Sequence, residues 1–109
     1  MLPCKLGQIE YIDERGRSPF ARWFGGLDDF AAARVSTALD RLSKGNVSNV
    51  KSVGGGVSEM KIDFGPGYRL YFGRDGERLI VLLGGGTKKR QQDDIASALA
   101  LWADYKRRG

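Results

Sequence analysis

The chain has 109 residues, of which 41% are hydrophobic and 28% are charged. This length fits one domain over residues 1–109, and the composition is that of a globular rather than a disordered protein. The longest apolar run, residues 79–83, is far shorter than the roughly 20 residues that a membrane helix needs. Residues 1–8 show no signal-peptide pattern. We therefore expect a cytoplasmic protein without a membrane partner.

Residue content also limits the chemistry. The sequence has no histidine and a single cysteine, Cys4, to which we assign no role. Catalytic dyads and triads that use histidine are therefore excluded, as is a zinc site built from several Cys or His ligands. We expect no metal and no cofactor. The 18 basic residues outnumber the 13 acidic ones and give a net charge of +5, which favours an anionic partner such as nucleic acid or an acidic protein.

The first half of the chain predicts one strand and two helices. The strand covers residues 8–13, and Ser18-Pro19 begins a short helix whose apolar face includes Phe20 and Trp23. Asp28 or Asp29 begins a second helix that ends near Gly45. Its predicted buried stripe comprises Phe30, Ala31, Val35, Ala38, Leu39 and Leu42. Because the connection is short, we expect the two helices to form an antiparallel hairpin.

The second half predicts a loop over residues 46–56, with a ragged strand at its end, and then three antiparallel strands over 57–64, 68–74 and 78–83. A turn at 65–67 and the Asp75-Gly76 signal join these strands. Gly84–Gly86 predict a connector that could also hold a phosphate, and a last helix covers 91–107. This order predicts an α+β fold: a small antiparallel sheet, an N-terminal helical hairpin and a C-terminal helix. The predicted core places Met60, Ile62, Phe64, Leu70 and Phe72 against Trp23, Phe24, Val35 and Leu39.

A polar face accompanies this core. Pairing the strands through the 65–67 turn places residues 63 and 69, 61 and 71, and 59 and 73 opposite each other. Glu59, Lys61, Asp63, Arg69 and Tyr71 then share one face. The face is either a functional site or a solvated surface with Asp63–Arg69 and Glu59–Lys61 ion pairs. If the face is a functional site, we expect that Arg69 can be truncated with little loss of packing. If it is an ion-paired surface, we expect Asp63→Asn and Arg69→Ala to do equal harm, both through stability.

Two strings in this region, VSEMKIDFGPGYRLYFGRDGE and LIVLLGGGTKKRQQDDI, resemble the RelE/ParE superfamily of type II toxins. They resemble most the HigB-like branch of addiction-module killer proteins, through Glu59-Met60-Lys61, residues 65–71 and residues 85–95. The resemblance implies a RelE-like fold and a bacterial mRNA interferase, an endoribonuclease that cuts mRNA on the ribosome. It also implies metal-free attack by the RNA's own 2′-OH, and a cognate antitoxin with a helix-turn-helix.

The resemblance further implies individual site residues. Lys61 matches a catalytic base or phosphate contact, Glu59 a neighbouring catalytic position, and Arg69 the arginine that stabilises the phosphorane. Lys88 or Lys89 matches the basic residue beyond the last strand. Apart from the resemblance, two basic clusters, Lys88-Lys89-Arg90 and Lys106-Arg107-Arg108, and the polar strand position of Tyr71 predict RNA contacts. These contacts are expected from Tyr71, Lys89, Arg90, Lys106, Arg107 and Arg108. Relatives such as RelE carry a late tyrosine near the position of Asp94 or Ile95, and this chain has none.

Two other functions fit the same sequence. A ParE-like protein would inhibit DNA gyrase without cutting nucleic acid, and fold alone does not separate the two activities. A basic RNA- or protein-binding domain without toxicity would also account for the net charge of +5. The grouping of Glu59, Lys61 and Arg69 favours the endonuclease.

Overall fold

A computed structural model describes residues 6–108, so Cys4 lies outside the described residues. Along the chain the elements are β1 (Gly7–Glu10), α1 (Pro19–Gly25), α2 (Asp29–Ser43), β2 (Val50–Gly54), β3 (Val57–Ile62), β4 (Tyr68–Asp75), β5 (Leu79–Thr87), a 3₁₀ turn (Lys88–Arg90) and α3 (Gln91–Arg108). The α+β class is confirmed. No helix in the described part of the chain is long and apolar enough to span a membrane.

The five strands form one mixed sheet in the order β1-β5-β4-β3-β2. The three predicted strands are confirmed as the antiparallel β3, β4 and β5. The prediction of an antiparallel sheet is wrong, because β1 pairs in parallel with β5. Parallel neighbours need a long crossover, and here the chain between β1 and β5 supplies it. The region predicted as a loop with a ragged strand at its end contains β2, which pairs with β3 and has a register shift near Ser52.

The helix starts follow their capping residues. Ser18 Oγ accepts a hydrogen bond from Ala21 N at 3.0 Å, and Asp28 Oδ1 accepts one from Ala31 N at 2.8 Å. The predicted burial of Phe30 is wrong, since this side chain is 79% exposed. Successive helical residues point about 100° apart, so Phe30 turns away from the sheet when Ala31 faces it. The antiparallel arrangement of α1 and α2 stays a prediction.

The sheet has an apolar core on each face. The core on the α1 and α2 side contains Met60, Ile62, Leu70 and Phe72 together with Val35, and Trp23, Phe24, Leu39 and Phe64 pack against it, which confirms the predicted set. The core on the α3 side contains Val57, Val81, Leu83, Ala98 and Trp102. β5 is therefore covered on both sides, with Ile80 and Leu82 in one core and Val81 and Leu83 in the other.

Each tryptophan packs over a strand glycine. A Cβ on Gly73 would lie 2.5 Å from the Trp102 ring, and a Cβ on Gly85 would lie 2.5 Å from the Trp23 ring. Both glycines allow a ring to approach the backbone more closely than any other residue would. The predicted connector at Gly84–Gly86 is wrong, because β5 continues through these residues to Thr87.

Candidate functional site

The predicted polar face exists, but its register differs from the prediction. Lys61 lies opposite Arg69, and Glu59 lies opposite Tyr71. The predicted register is wrong by two residues because the turn includes Asp63 and Phe64, which fall outside both strands. A shift of two keeps every side chain on the same face of a sheet. Glu59, Lys61, Arg69 and Tyr71 therefore still lie together, on the side that α3 covers.

A buried ion pair lies on this face. Arg69 Nε is 3.6 Å from Glu59 Oε1, and the side chains are 9% and 2% exposed. Gln91 Nε2, in the first turn of α3, donates to Glu59 Oε2 at 2.8 Å, and Lys51 Nζ lies 3.7 Å from Oε1. The predicted Asp63–Arg69 and Glu59–Lys61 pairs are wrong, because Glu59 is the partner of Arg69.

The guanidinium of Arg69 is held at two points. Nη1 donates to the backbone oxygen of Gly67 at 3.1 Å, while Nε faces Glu59 at ion-pair distance without a normal hydrogen bond. The expectation that Arg69 can be truncated cheaply is wrong. Its removal would leave a buried carboxylate without its principal counter-charge, which is a costly change.

Tyr71 and Asp94 complete the buried part of the site. Tyr71 is 1% exposed, and its hydroxyl forms no hydrogen bond of normal geometry. Burial raises the pKa of Tyr71, and the Glu59 carboxylate raises it further. Burial also raises the pKa of Asp94, whose Oδ2 has no hydrogen bond. Both residues line a cavity of about 140 Å³. Because α3 covers Tyr71, its ring offers no surface to a base in this structure.

Gly86 explains how the Asp94 carboxylate fits under α3. A Cβ on Gly86 would overlap this carboxylate. Gly84–Gly86 pair with Tyr71, Leu70 and Arg69 of β4. This segment is therefore a paired β-strand and not an open loop that could bind a phosphate. Sequence reasoning assigned no role to Gln91 or Asp94, although both lie in the 85–95 string. Their spacing of three along a helix is the signal that places them on one face.

Two exposed lysines lie on either side of Arg69. Lys61 is its neighbour on β3. Lys88 follows β5 on the other side, and its backbone N donates to Gly67 O at 2.9 Å. Neither ammonium lies within 4 Å of a carboxylate among residues 6–108. Lys89 and Arg90, also exposed, occupy the adjacent 3₁₀ turn. The structure therefore brings together Lys61, Arg69 and Lys88.

The second predicted basic cluster lies at the other end of α3, roughly 25 Å away at about 1.5 Å per residue. Arg108 Nη2 donates to Tyr11 Oη at 2.9 Å, to the Ile12 carbonyl at 2.8 Å and to Asp104 Oδ2 at 2.6 Å. Arg107 also pairs with Asp104, and Lys106 lies 5.8 Å from the Trp102 ring centroid. Arg108 therefore attaches the last turn of α3 to the chain after β1.

No group of three or more Cys, His, Asp or Glu residues in the described ranges could hold a metal ion.

A family model described as phage-derived protein Gp49-like (DUF891) matches residues 22–100. An uncharacterized protein of Haemophilus influenzae is 39% identical over 83 residues, which are 75% of this chain and 84% of that protein. The family match includes β2 to β5 and most of α3, and therefore the whole polar face.

Proposed function

Because the chain belongs to the Gp49-like family of phage-derived proteins, a family associated with toxin–antitoxin systems, we propose that it is the toxin of a type II pair. Its proposed activity is that of a HigB-like member of the RelE/ParE superfamily, a ribosome-dependent endonuclease that cuts mRNA. The observation that carries this proposal is the grouping of the unpaired Lys61 and Lys88 on either side of Arg69.

The proposed reaction needs no nucleophile from the protein. The RNA 2′-OH loses its proton and its oxygen attacks the adjacent phosphorus, while the bond to the 5′-oxygen breaks and that oxygen gains a proton. The products are a 2′,3′-cyclic phosphate and a 5′-hydroxyl. An in-line displacement places the proton acceptor and donor on opposite sides of the phosphorus, and Lys61 and Lys88 lie on opposite sides of Arg69. We assign Lys61 to the acceptor side, next to the 2′-OH, and Lys88 to the donor side, next to the leaving oxygen.

Arg69 is the proposed stabiliser of the phosphorane. Arg69 Nη1 donates to the Gly67 carbonyl and its Nε faces Glu59, so Nη2 is the donor left for a phosphate oxygen, and a preorganised donor gains most where charge develops. Glu59 is buried and engaged with Gln91, Lys51 and Arg69, so it lacks the access that a base needs. We assign it to position Arg69. Alignment of the 2′-OH with the phosphate supplies the rest of the rate enhancement.

A cognate antitoxin with a helix-turn-helix, encoded beside this gene, is the proposed partner. The net charge of +5 and the exposed Lys61, Lys88, Lys89 and Arg90 favour an acidic segment that covers these cations. Co-expression of the neighbouring reading frame should restore growth and yield a complex that co-purifies.

A pulse of expression tests the proposed activity against a ParE-like one. Wild type and Lys61→Ala are compared with Lys44→Ala, a matched control whose ammonium pairs with Asp40 on α2. We expect wild type and Lys44→Ala to stop translation while plasmid supercoiling is unchanged, and Lys61→Ala to leave translation running. Relaxed plasmid with continued protein synthesis would favour gyrase inhibition instead.

A further inference from the structure

A second basic surface adjoins the site, on the α2 side of the sheet. It is a cleft of about 230 Å³ between α2, the end of β3 and the chain that precedes β2. α2 contributes side chains at i, i+3 and i+7, which share one helix face. The polar and charged residues that line the cleft include Arg34, Thr37, Arg41, Asn46, Asn49 and Lys61.

The charge of this cleft is largely unneutralised. Arg34, Arg41 and Lys61 are all exposed, and among residues 6–108 no carboxylate lies within 4 Å of any of the three charged groups. Asp63 is the one carboxylate in the lining. Two arginines facing one acid in a concave surface attract an anionic ligand, whereas Lys61 borders the cleft with its backbone and carries its side chain on the α3 face of the sheet.

The cleft also offers a surface for a flat ring. The guanidinium carbon of Arg34 lies 4.9 Å from the centroid of the Phe64 ring, and Phe64 in turn stacks on Tyr68 at 6.5 Å. Aromatic rings and guanidinium planes are the surfaces on which unstacked RNA bases pack. An acidic peptide would satisfy the cations but would leave this stacking surface unused.

The opposite wall of the cleft is held in place by its own hydrogen bonds. Asn46 Oδ1 accepts from Ser48 N at 3.2 Å and from Ser48 Oγ at 2.9 Å. The Asn49 carbonyl accepts from Lys61 N at 3.0 Å. Lys61 thus belongs both to this wall and to the strand pair that carries Arg69, and it joins the cleft to the proposed cleavage site.

We propose that this cleft binds the stretch of single-stranded RNA next to the scissile phosphate, with Arg34 and Arg41 on its phosphates and a base against the Phe64–Arg34 pair. The proposal rests on the proposed function, since it extends the RNA path from Lys61 to α2. It assigns a substrate contact to two arginines that lie outside the polar face.

The test is the affinity of the full-length protein for a fluorescent, 2′-O-methylated hexaribonucleotide, which cannot be cut because its 2′-oxygens are blocked. The variants are Arg34→Gln, Arg41→Gln and the double substitution. Arg78→Gln is the matched control, because Arg78 is exposed at the opposite end of the sheet, in the β4–β5 connection. Thermal melting checks that each variant is folded, and these exposed positions should leave the melting temperature unchanged.

We expect the double variant to bind at least about tenfold more weakly, as for the loss of two or more phosphate contacts, and its slope of log affinity against log salt to fall by about 0.7 per arginine. Arg78→Gln should keep the wild-type affinity and slope. If the folded double variant binds the RNA with wild-type affinity, the proposal that the cleft binds RNA is wrong, and the proposed function is unaffected. If the wild type itself binds no RNA at low salt, the cleft proposal fails, whereas the proposed function is tested separately by mRNA cleavage on ribosomes. If the variants no longer bind a glutamate-rich peptide but still bind the RNA, the cleft is a site for a protein partner, which would contradict the proposal.

Discussion

Arg69 and Glu59 lie side by side on β4 and β3, with Arg69 Nε 3.6 Å from Glu59 Oε1 and both side chains nearly excluded from solvent. The first turn of α3 reaches the same carboxylate through Gln91. A buried arginine held in this way has little freedom to reorient, so its guanidinium is set before any ligand arrives. Preorganisation of this kind is what a stabiliser of developing phosphate charge requires.

The first prediction separates the structural role of this pair from its catalytic role. Arg69→Ala alone should lower the free energy of unfolding by about 3–5 kcal/mol, because Glu59 is then buried without its main partner. Combining Arg69→Met with Glu59→Gln removes both charges and should restore most of that stability. Cleavage should stay lost in the double variant, since no guanidinium remains. Denaturant unfolding and mRNA cleavage on ribosomes measure the two effects. A stable double variant that cuts at the wild-type rate would remove Arg69 from the mechanism.

The second prediction concerns the glycine beneath Trp102. Gly73→Ala places a methyl group 2.5 Å from the ring, and we expect a loss of about 1–3 kcal/mol, as for other overpacked cores. Gly25→Ala is the control, because a Cβ there meets nothing within 4 Å. Thermal unfolding of both variants makes the comparison. Equal melting temperatures would mean that the ring moves aside at no cost.

The third prediction concerns the pH dependence of stability. Burial raises the pKa of Asp94 in the folded protein, so folding favours its protonated form. The stability gained from protonated Asp94 is fully present below the pKa of Asp94 in the unfolded chain. It is lost as the pH rises through the pKa of Asp94 in the folded protein. Asp94→Asn should therefore raise the melting temperature at pH 7 and have little effect near pH 3. The measurement is the difference in melting temperature between wild type and Asp94→Asn from pH 3 to pH 7. A difference that is largest in acid would contradict the prediction.

The fourth prediction concerns the far end of α3. Arg108 joins Tyr11, the Ile12 carbonyl and Asp104, whereas Arg107 pairs with Asp104 alone. Arg108→Gln should lower the melting temperature more than Arg107→Gln, and hydrogen exchange should increase in the last turn of α3. If Arg108→Gln melts like the wild type and instead weakens RNA binding, Arg108 is an RNA contact, as the C-terminal basic cluster predicts.

Local patterns in the sequence predicted the helices, the three antiparallel strands and the core between them. Ser18-Pro19 placed the start of α1 correctly, and the alternation of Met60, Ile62 and Leu70 identified the face that packs on α2. The side of the sheet carrying Glu59 and Arg69 was also predictable, because the register error was two residues and a period of two preserves the face.

The remaining features depend on contacts between distant segments. The parallel pairing of β1 with β5 joins strands separated by most of the chain, and no local pattern encodes it. The burial of Glu59 and Arg69 was missed because α3 covers a face that is polar in sequence. Gly86 resembles a flexible connector until Asp94, eight residues later, is placed against it.

The most direct test of the account is to map the ends of an mRNA incubated with translating ribosomes and the purified protein. Wild type and Lys44→Ala should cut within the reading frame and leave a 2′,3′-cyclic phosphate and a 5′-hydroxyl. Lys61→Ala and Lys88→Ala should each reduce the cleavage rate by about 10²-fold or more, the lower end of what a positioned proton donor or acceptor contributes. Intact mRNA with the wild type, or equal cleavage by all four proteins, would contradict the account.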